Sequence, residues 1–473
     1  MKKIITLILT IVLLTFISMK STFAYDPLSV QNNKFGIHIV NENDLDDAAN
    51  LVNSQGGDWG YVTVVITETE RDHARWQKVF DRMRRLHIIP IVRIATKPQG
   101  DVWETPKSEE INNWIAFLNS LNWVVKNRYI VIGNEPNHSK EWGGDISPSE
   151  YAKYLKEFST ALKNSNEDFF ILPAGLDASA PNSSLTMSEM TFINGMIKEV
   201  PDIYNYVDGW NSHSYPNPNF SGKETDRGRG TVSTFAWELD YIKDLGVKRE
   251  FPVFITETGW THQVEGDEKT SKLLKEDVIG KKLGYTFENV WNDKRVVAVT
   301  PFLLNYEAKP FDTFSWKRPD GSFYSFYDEV KNLPKVKGQP VQDVKGRILG
   351  IFVNPFVIVG SSVKGIILTQ NLGQSIWVSP DITFGNESKN ISVTTDSFGE
   401  VEPQKIKLIH ISSEAINKTG TYKIPLVLQH KEENISPSYP FEVVVIRAPE
   451  VKTEDLFDKI LNYLRDKVSF KSP

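Results

Sequence analysis

The run YIVIGNE at 129–135 decides the fold. Tyr129 to Ile132 are all apolar and β-favouring, so a strand here has no face left for water. Such strands belong to parallel sheets covered on both sides by helices. The run ends on Asn134 and Glu135, followed by Pro136, which places an amide and a carboxylate just past its C-terminal end.

Seven further strand candidates follow the same alternation, several of them nearly continuous apolar runs: FGIHIV (35–40), WGYVTVVI (59–66), IIPIVRIA (88–95), FFILPAG (169–175), VDGWNSHSY (207–215), FPVFITET (251–258) and VVAVTPFLLNY (296–306). Helical patterns lie between them at 44–54, 72–86, 109–120, 148–164, 188–199, 232–245 and 272–291. One helix start is well marked, with Ser147 as N-cap, Pro148 at the first helical position and Glu150 completing a capping box. Eight strands alternating with helices predict an α/β fold, a (β/α)8 TIM barrel over 33–333. An open doubly wound sheet competes with it, but no Gly-x-Gly-x-x-Gly follows the first strand.

The pattern then changes. Residues 334–346 read as a Pro/Gly/Lys linker, and 347–448 as short strands separated by turns, an all-β immunoglobulin-like sandwich. At 449–473, Thr453 as N-cap with Leu456, Phe457, Ile460, Leu461 and Leu464 predicts a terminal amphipathic helix. At the other end, Lys2 and Lys3 precede an apolar run from Ile4 to Ile17 and the Thr22-Phe23-Ala24 site, the layout of a secretory signal peptide cut after Ala24. The run is short for a bilayer span, so an uncleaved anchor is the weaker reading.

Composition narrows the function. The chain has 473 residues, 40% apolar and 24% charged, which are globular values. A net charge of −6 gives little attraction to nucleic acid or anionic membrane and favours a neutral substrate. With no cysteine, disulfides and thiol nucleophiles are excluded. The absence of His-Glu-x-x-His and of a dense His/Asp cluster leads us to expect neither metal nor cofactor. The sequon Asn137-His138-Ser139 falls inside the candidate site and reads as chance composition.

The C-terminal strand ends of such a barrel line its active site. They deliver His38, Arg93, Asn134, Glu135, Asp177, His213, Tyr215, Glu257, Asn305 and Tyr306, with Trp103, Trp142, Trp260 and Trp316 close by in sequence. Carboxylates ringed by amide, imidazole, phenol and indole suit a polyhydroxylated ring better than a phosphate or a metal. Sugar rings stack on aromatics and give their hydroxyls to amides and acids.

Asn134-Glu135-Pro136 at the fourth strand and Thr256-Glu257-Thr258-Gly259-Trp260 at the seventh resemble the clan A glycoside hydrolases, the four-seven barrel superfamily. The resemblance covers 35–332 and implies a retaining O-glycosyl hydrolase. It makes Glu135 the general acid/base, Glu257 the nucleophile and Asn134 the contact to the sugar 2-hydroxyl. His213 and Tyr215, in the Trp210–Tyr215 segment, are implied beside the nucleophile. Arg93, His38 and Trp260 join the substrate-binding set. Many clan members carry an Arg on the second strand and a Trp ending the eighth; here Arg93 is on the third, and Phe302-Leu303-Leu304-Asn305-Tyr306 ends the eighth. The expected partner is therefore a carbohydrate, a β-linked neutral poly- or oligosaccharide, with no nucleic acid. A transglycosylase would use the same residues, and a non-catalytic carbohydrate-binding protein would need neither glutamate. The sandwich reads as a binding module or as a spacer at a cell surface or cell wall; Trp377 is its single Trp. Oligomeric state is not readable.

Overall fold

The run that opened the sequence forms β4, Arg128–Ile132, and its last four residues are buried. The computed structural model describes residues 24–386, 391–448, 458–459 and 461–462. It divides into two compact units between Gln342 and Asp343.

Among the described residues, the first unit holds eight parallel strands. These are β1 (Gly36–His38), β2 (Gly60–Thr67), β3 (Ile88–Ala95), β4, β5 (Phe169–Pro173), β6 (Trp210–His213), β7 (Val253–Glu257) and β8 (Val296–Val299). They pair in chain order as a five-stranded sheet, β1 to β5, and a three-stranded sheet, β6 to β8. Both seams are bridged. Phe35 pairs with Val299 and Asp177 with His213, each in parallel sense. The Val299 and Asp208 amides donate across the same seams to Lys34 and Ile171 carbonyls at 2.9 and 2.8 Å. The strand order therefore closes on itself.

Each strand is followed by a helix: α1 (Leu45–Val52), α2 (His73–Arg85), α3 (Ile111–Ser120), α4 (Pro148–Ser165), α5 (Glu189–Glu199), α6 (Thr234–Asp244), α7 (Glu276–Asn289) and α8 (Ser325–Lys331). The α4 start corrects one expectation. Ser147 Oγ caps the Glu150 amide at 3.3 Å, but the Glu150 carboxylate accepts from the Trp142 indole at 3.2 Å instead of closing a capping box. Trp142 is buried, so the indole N–H needs that partner more than an exposed backbone amide does.

Four inward rings plug the strand interior. Tyr129 packs on Phe170 and Phe254 with centroids 5.1 and 5.2 Å apart, and Tyr61 edges onto Tyr129 at 6.1 Å. Edge-to-face and tilted packing at these separations is favourable beyond simple burial. The rings come from β2, β4, β5 and β7 and leave a rigid core under residues projecting at the strand ends.

The second unit is all-β. Gly346–Val353, Ser362–Asn371, Ile406–Ala415 and Val393–Thr395 form one antiparallel sheet. Tyr439–Ile446, Gly420–His430 and Ile382–Asn386 lie antiparallel in another, with Phe356–Ile358 parallel at its edge. Ile367, Ile409, Ile424, Leu426, Leu428 and Val443 form its core, together with Trp377. Trp377 is 1% exposed and so offers no surface platform for a sugar. All of the expected signal peptide but Ala24, and all but four residues of the expected C-terminal helix, lie outside the described residues. No described helix is long and apolar enough to cross a membrane.

Candidate active site

Glu135 stands in a conformation that costs energy. Its φ is +33°, a region L-residues other than glycine rarely occupy, at a cost of about 1 kcal/mol or more. Two backbone hydrogen bonds hold it there: its amide donates to Gly175 carbonyl at 3.0 Å, and its carbonyl accepts from the His138 amide at 2.8 Å. The chain thus turns sharply after β4 and aims the carboxylate across the strand ends.

Glu257, the last residue of β7, meets it from the other side and is 7% exposed. Its Oε2 accepts from Tyr215 Oη at 3.2 Å, and its Oε1 from Arg93 Nη1 at 3.3 Å. His213 lies between the two acids, with Nδ1 2.9 Å from Glu135 Oε1 and 3.7 Å from Glu257 Oε2. One oxygen of each glutamate and one His213 nitrogen all lie within 4.8 Å of one another. The Arg93 guanidinium also donates to Asn134 Oδ1, tying the amide to the same cluster.

The electrostatics separate the groups. Burial pushes the Glu257 carboxyl up, but the charges of His213 and Arg93 and the Tyr215 hydroxyl outweigh it, so it is held below the ordinary carboxylate value. Burial pushes His213 down, and the two glutamates more than reverse this, so its pKa lies above the ordinary imidazole value. His38 behaves differently. Burial lowers it to about 3, so it is neutral at working pH and adds no charge beside Glu257.

The predicted residues therefore divide. Arg93, Asn134, Glu135, His213, Tyr215 and Glu257 come together. His38 reaches the cluster from beneath: it is 1% exposed, its Nδ1 is 3.9 Å from Glu257 Oε1, and neither ring nitrogen has a hydrogen bond. It belongs to the lining of the cleft. Trp260 is a correction. It is buried, and its indole donates to Gly222 carbonyl at 2.8 Å, anchoring the loop after β6. Trp260 is thus a fastener, engaged by Gly222 and by Lys282 over its ring and not among the residues that line the cleft. Trp316 is likewise buried, and Asn305 donates to Asp44 at 3.2 Å away from the cluster.

Other residues belong here that sequence reading passed over. Glu141, largely buried beside Arg93 and Asn134, has a carboxyl raised by burial. His138 pairs with Asp177 at 2.9 Å, and that pair holds Asp177 down to about 2. Gly175 carries no side chain because a Cβ there would run into the His213 ring. Asn137 is fully buried, its amide donating to Asp177 and Met187 carbonyls at 3.0 and 3.1 Å, so the folded chain offers no glycosylation site there. The Asn-x-Ser and glycine positions were visible in the sequence; what they do depends on contacts between distant loops.

A cleft of about 1150 Å³ opens over these groups. One wall is aromatic, with Tyr215, Phe220, Phe302, Phe311 and Phe314 in mutual edge contact at 5.0 to 5.9 Å. Phe302 lies three residues past the end of β8, near where the clan pattern has a Trp, and it lines the cleft half-exposed. Glu135, His213 and Glu257 have the geometry to share one cation, yet Arg93 already supplies a positive charge to Glu257.

No known family profile and no curated protein matches the chain. Similar solved structures include a family 39 glycoside hydrolase from Bacteroides cellulosilyticus, 14% identical over 83% of this chain and 82% of that one, TM-score 0.43. A family 39 β-xylosidase from Caulobacter crescentus is 11% identical over 81% and 96%, TM-score 0.45. A family 128 endo-β-1,3-glucanase from Sorangium cellulosum is 12% identical over 64% and 98%, TM-score 0.41.

Proposed function

We propose that this chain is a secreted retaining glycoside hydrolase on a closed (β/α)8 barrel, cleaving the O-glycosidic bonds of a β-linked neutral poly- or oligosaccharide by double displacement. The observation that carries this reading is the approach of a Glu135 oxygen and a Glu257 oxygen to within 4.8 Å. Retaining pairs have carboxyl groups about 5–5.5 Å apart, whereas inverting pairs leave about 6.5–9.5 Å for a water.

In the first step Glu257 attacks the anomeric carbon as the bond to the leaving oxygen breaks, and Glu135 gives that oxygen its proton. In the second step Glu135 takes a proton from water, whose oxygen displaces Glu257 and restores both groups. Arg93 and Tyr215 hold Glu257 ionised and aimed, and His213 fixes the separation of the pair. Asn134, its oxygen turned to Arg93, has two NH2 hydrogens, one directed to the Glu141 carboxylate and one for the sugar 2-hydroxyl. A binding protein has no use for a glutamate held at positive φ, nor for a buried carboxylate stripped of its proton. Secretion rests on the N-terminal signal layout, and the all-β unit reads as an immunoglobulin-like spacer at a surface.

The test is a panel of β-linked glycans and aryl β-glycosides assayed with wild type, Glu135→Ala and Glu257→Ala. Wild type is expected to turn over at least one. Glu135→Ala should lose about 10²–10⁴-fold on an unactivated substrate, and Glu257→Ala at least as much. Full activity of Glu257→Ala would overturn the assignment.

A further inference from the structure

The cleft is lined by four tryptophans, Trp76, Trp103, Trp114 and Trp142. Trp76, Trp114 and Trp142 are buried, and each ring is already engaged: Trp142 by Tyr151 and Tyr154, Trp114 by Phe117 and Arg71, Trp76 by Arg75. Trp103 is different, being half-exposed with no ring partner among the described residues.

Its support is rigid. Trp103 ends a two-stranded hairpin, Pro98–Gln99 against Val102–Trp103, in the loop after β3. The Glu104 carbonyl next to it accepts from Thr96 Oγ1 at 2.7 Å. The Trp103 carbonyl accepts from the Gly143 amide at 2.8 Å, which joins the hairpin to the loop carrying Glu135, His138 and Glu141. Approach there is so close that a Cβ on Gly143 would collide with Thr105. A half-exposed ring carried on a backbone fastened to the Glu135 loop in this way has its position set before a sugar stacks on it.

Chemistry then fixes the side of the bond. Glu135 protonates the leaving oxygen, so the departing sugar lies on the Glu135 side of the cleft. Phe302 and the other rings of the aromatic wall come from the loops after β6 and β8, flanking Glu257 instead. Resting on the glycosidase reading above, we infer that Trp103 is the stacking platform of the leaving-group subsite, recognising the apolar face of a neutral pyranose.

Glycosyl fluorides test this, because fluoride is too small to reach that platform. The β-glucosyl, β-xylosyl, β-mannosyl and β-galactosyl fluorides are assayed beside the corresponding β-linked disaccharides and trisaccharides, with wild type, Trp103→Ala, Trp103→Leu and Trp103→Phe. The expected result is a fall in kcat/KM about ten-fold greater on the oligosaccharide than on its fluoride in the Ala and Leu variants, with Phe recovering most of it. Transfer to an added sugar acceptor should fall in parallel. Equal losses on fluoride and oligosaccharide in both the Ala and Leu variants, or no loss on either, overturn the subsite. A wild type that turns over no fluoride and no oligosaccharide overturns the glycosidase reading and the subsite with it.

Discussion

Arg93 serves two partners from one guanidinium nitrogen, Glu257 and Asn134, and it does so from β3. Its charge is one of those that hold the Glu257 carboxyl low, so Glu257 stays ionised as pH falls below the ordinary carboxylate value. Removing the charge with Arg93→Met should move the acid limb of kcat/KM to higher pH, as read from a pH–rate profile. An unmoved limb would mean that Arg93 only packs. Gly175 acts by absence. In Gly175→Ala the new methyl displaces the His213 ring and with it the acid pair, which should cost about 10²-fold in kcat together with about 1–3 kcal/mol of fold stability, read from steady-state kinetics and thermal melts. At this scale the carboxylates and Asn134 were legible because they end apolar runs, and His213 and Tyr215 because the Trp210–Tyr215 segment closes a strand whose end has one destination. Trp260 was not, since adjacency in sequence does not say which way a loop side chain turns. Glu141 and His138 sit in a short helical turn with no periodic signal to mark them.

The strands were legible as elements for the reason that β4 was: buried on both faces, they cannot hide among polar residues. What escaped notice lies behind them. Glu189 on α5 and Glu238 on α6 are buried together against the outer side of β6, where Glu238 accepts from the Trp210 indole at 2.8 Å. Burial and mutual repulsion push Glu189 well above the ordinary value, and burial raises Glu238 against the pull of its hydrogen bonds. Trp210, Ser212 and Tyr204 face the pair, with Arg229, Asp177 and His213 the nearest charges. A carboxyl with a raised folded pKa binds its proton more tightly folded than unfolded. Its stabilising effect is complete below about 4.5 and is lost as pH rises toward the folded pKa. Glu189→Gln removes that loss, so its Tm should exceed wild type by a few degrees at pH 8 and converge with it at pH 4, measured by thermal melts across pH. A constant difference would place the effect in packing alone. Because the pair braces the strand carrying His213, wild type at high pH should also lose activity earlier than Glu189→Gln.

For the whole molecule, the strand–helix alternation foretold a closed ring of strands, and the observed pairing orders and bridged seams follow that order. The aromatic plug beneath the strand ends was hidden, because only closure brings Tyr61, Tyr129, Phe170 and Phe254 together. That plug supports a site whose two glutamates arrive from β4 and β7 and approach within 4.8 Å. In the proposed double displacement Glu257 forms a covalent bond to the sugar while Glu135 handles the proton. The direct measurement is mass spectrometry of the full chain after incubation with a 2-deoxy-2-fluoro-β-glycosyl fluoride of the preferred sugar, followed by peptide mapping. The account predicts a mass gain of one fluorosugar, located on the peptide at Glu257 and absent from Glu257→Ala. A label at another residue, or turnover to an inverted product with no label at all, would contradict it.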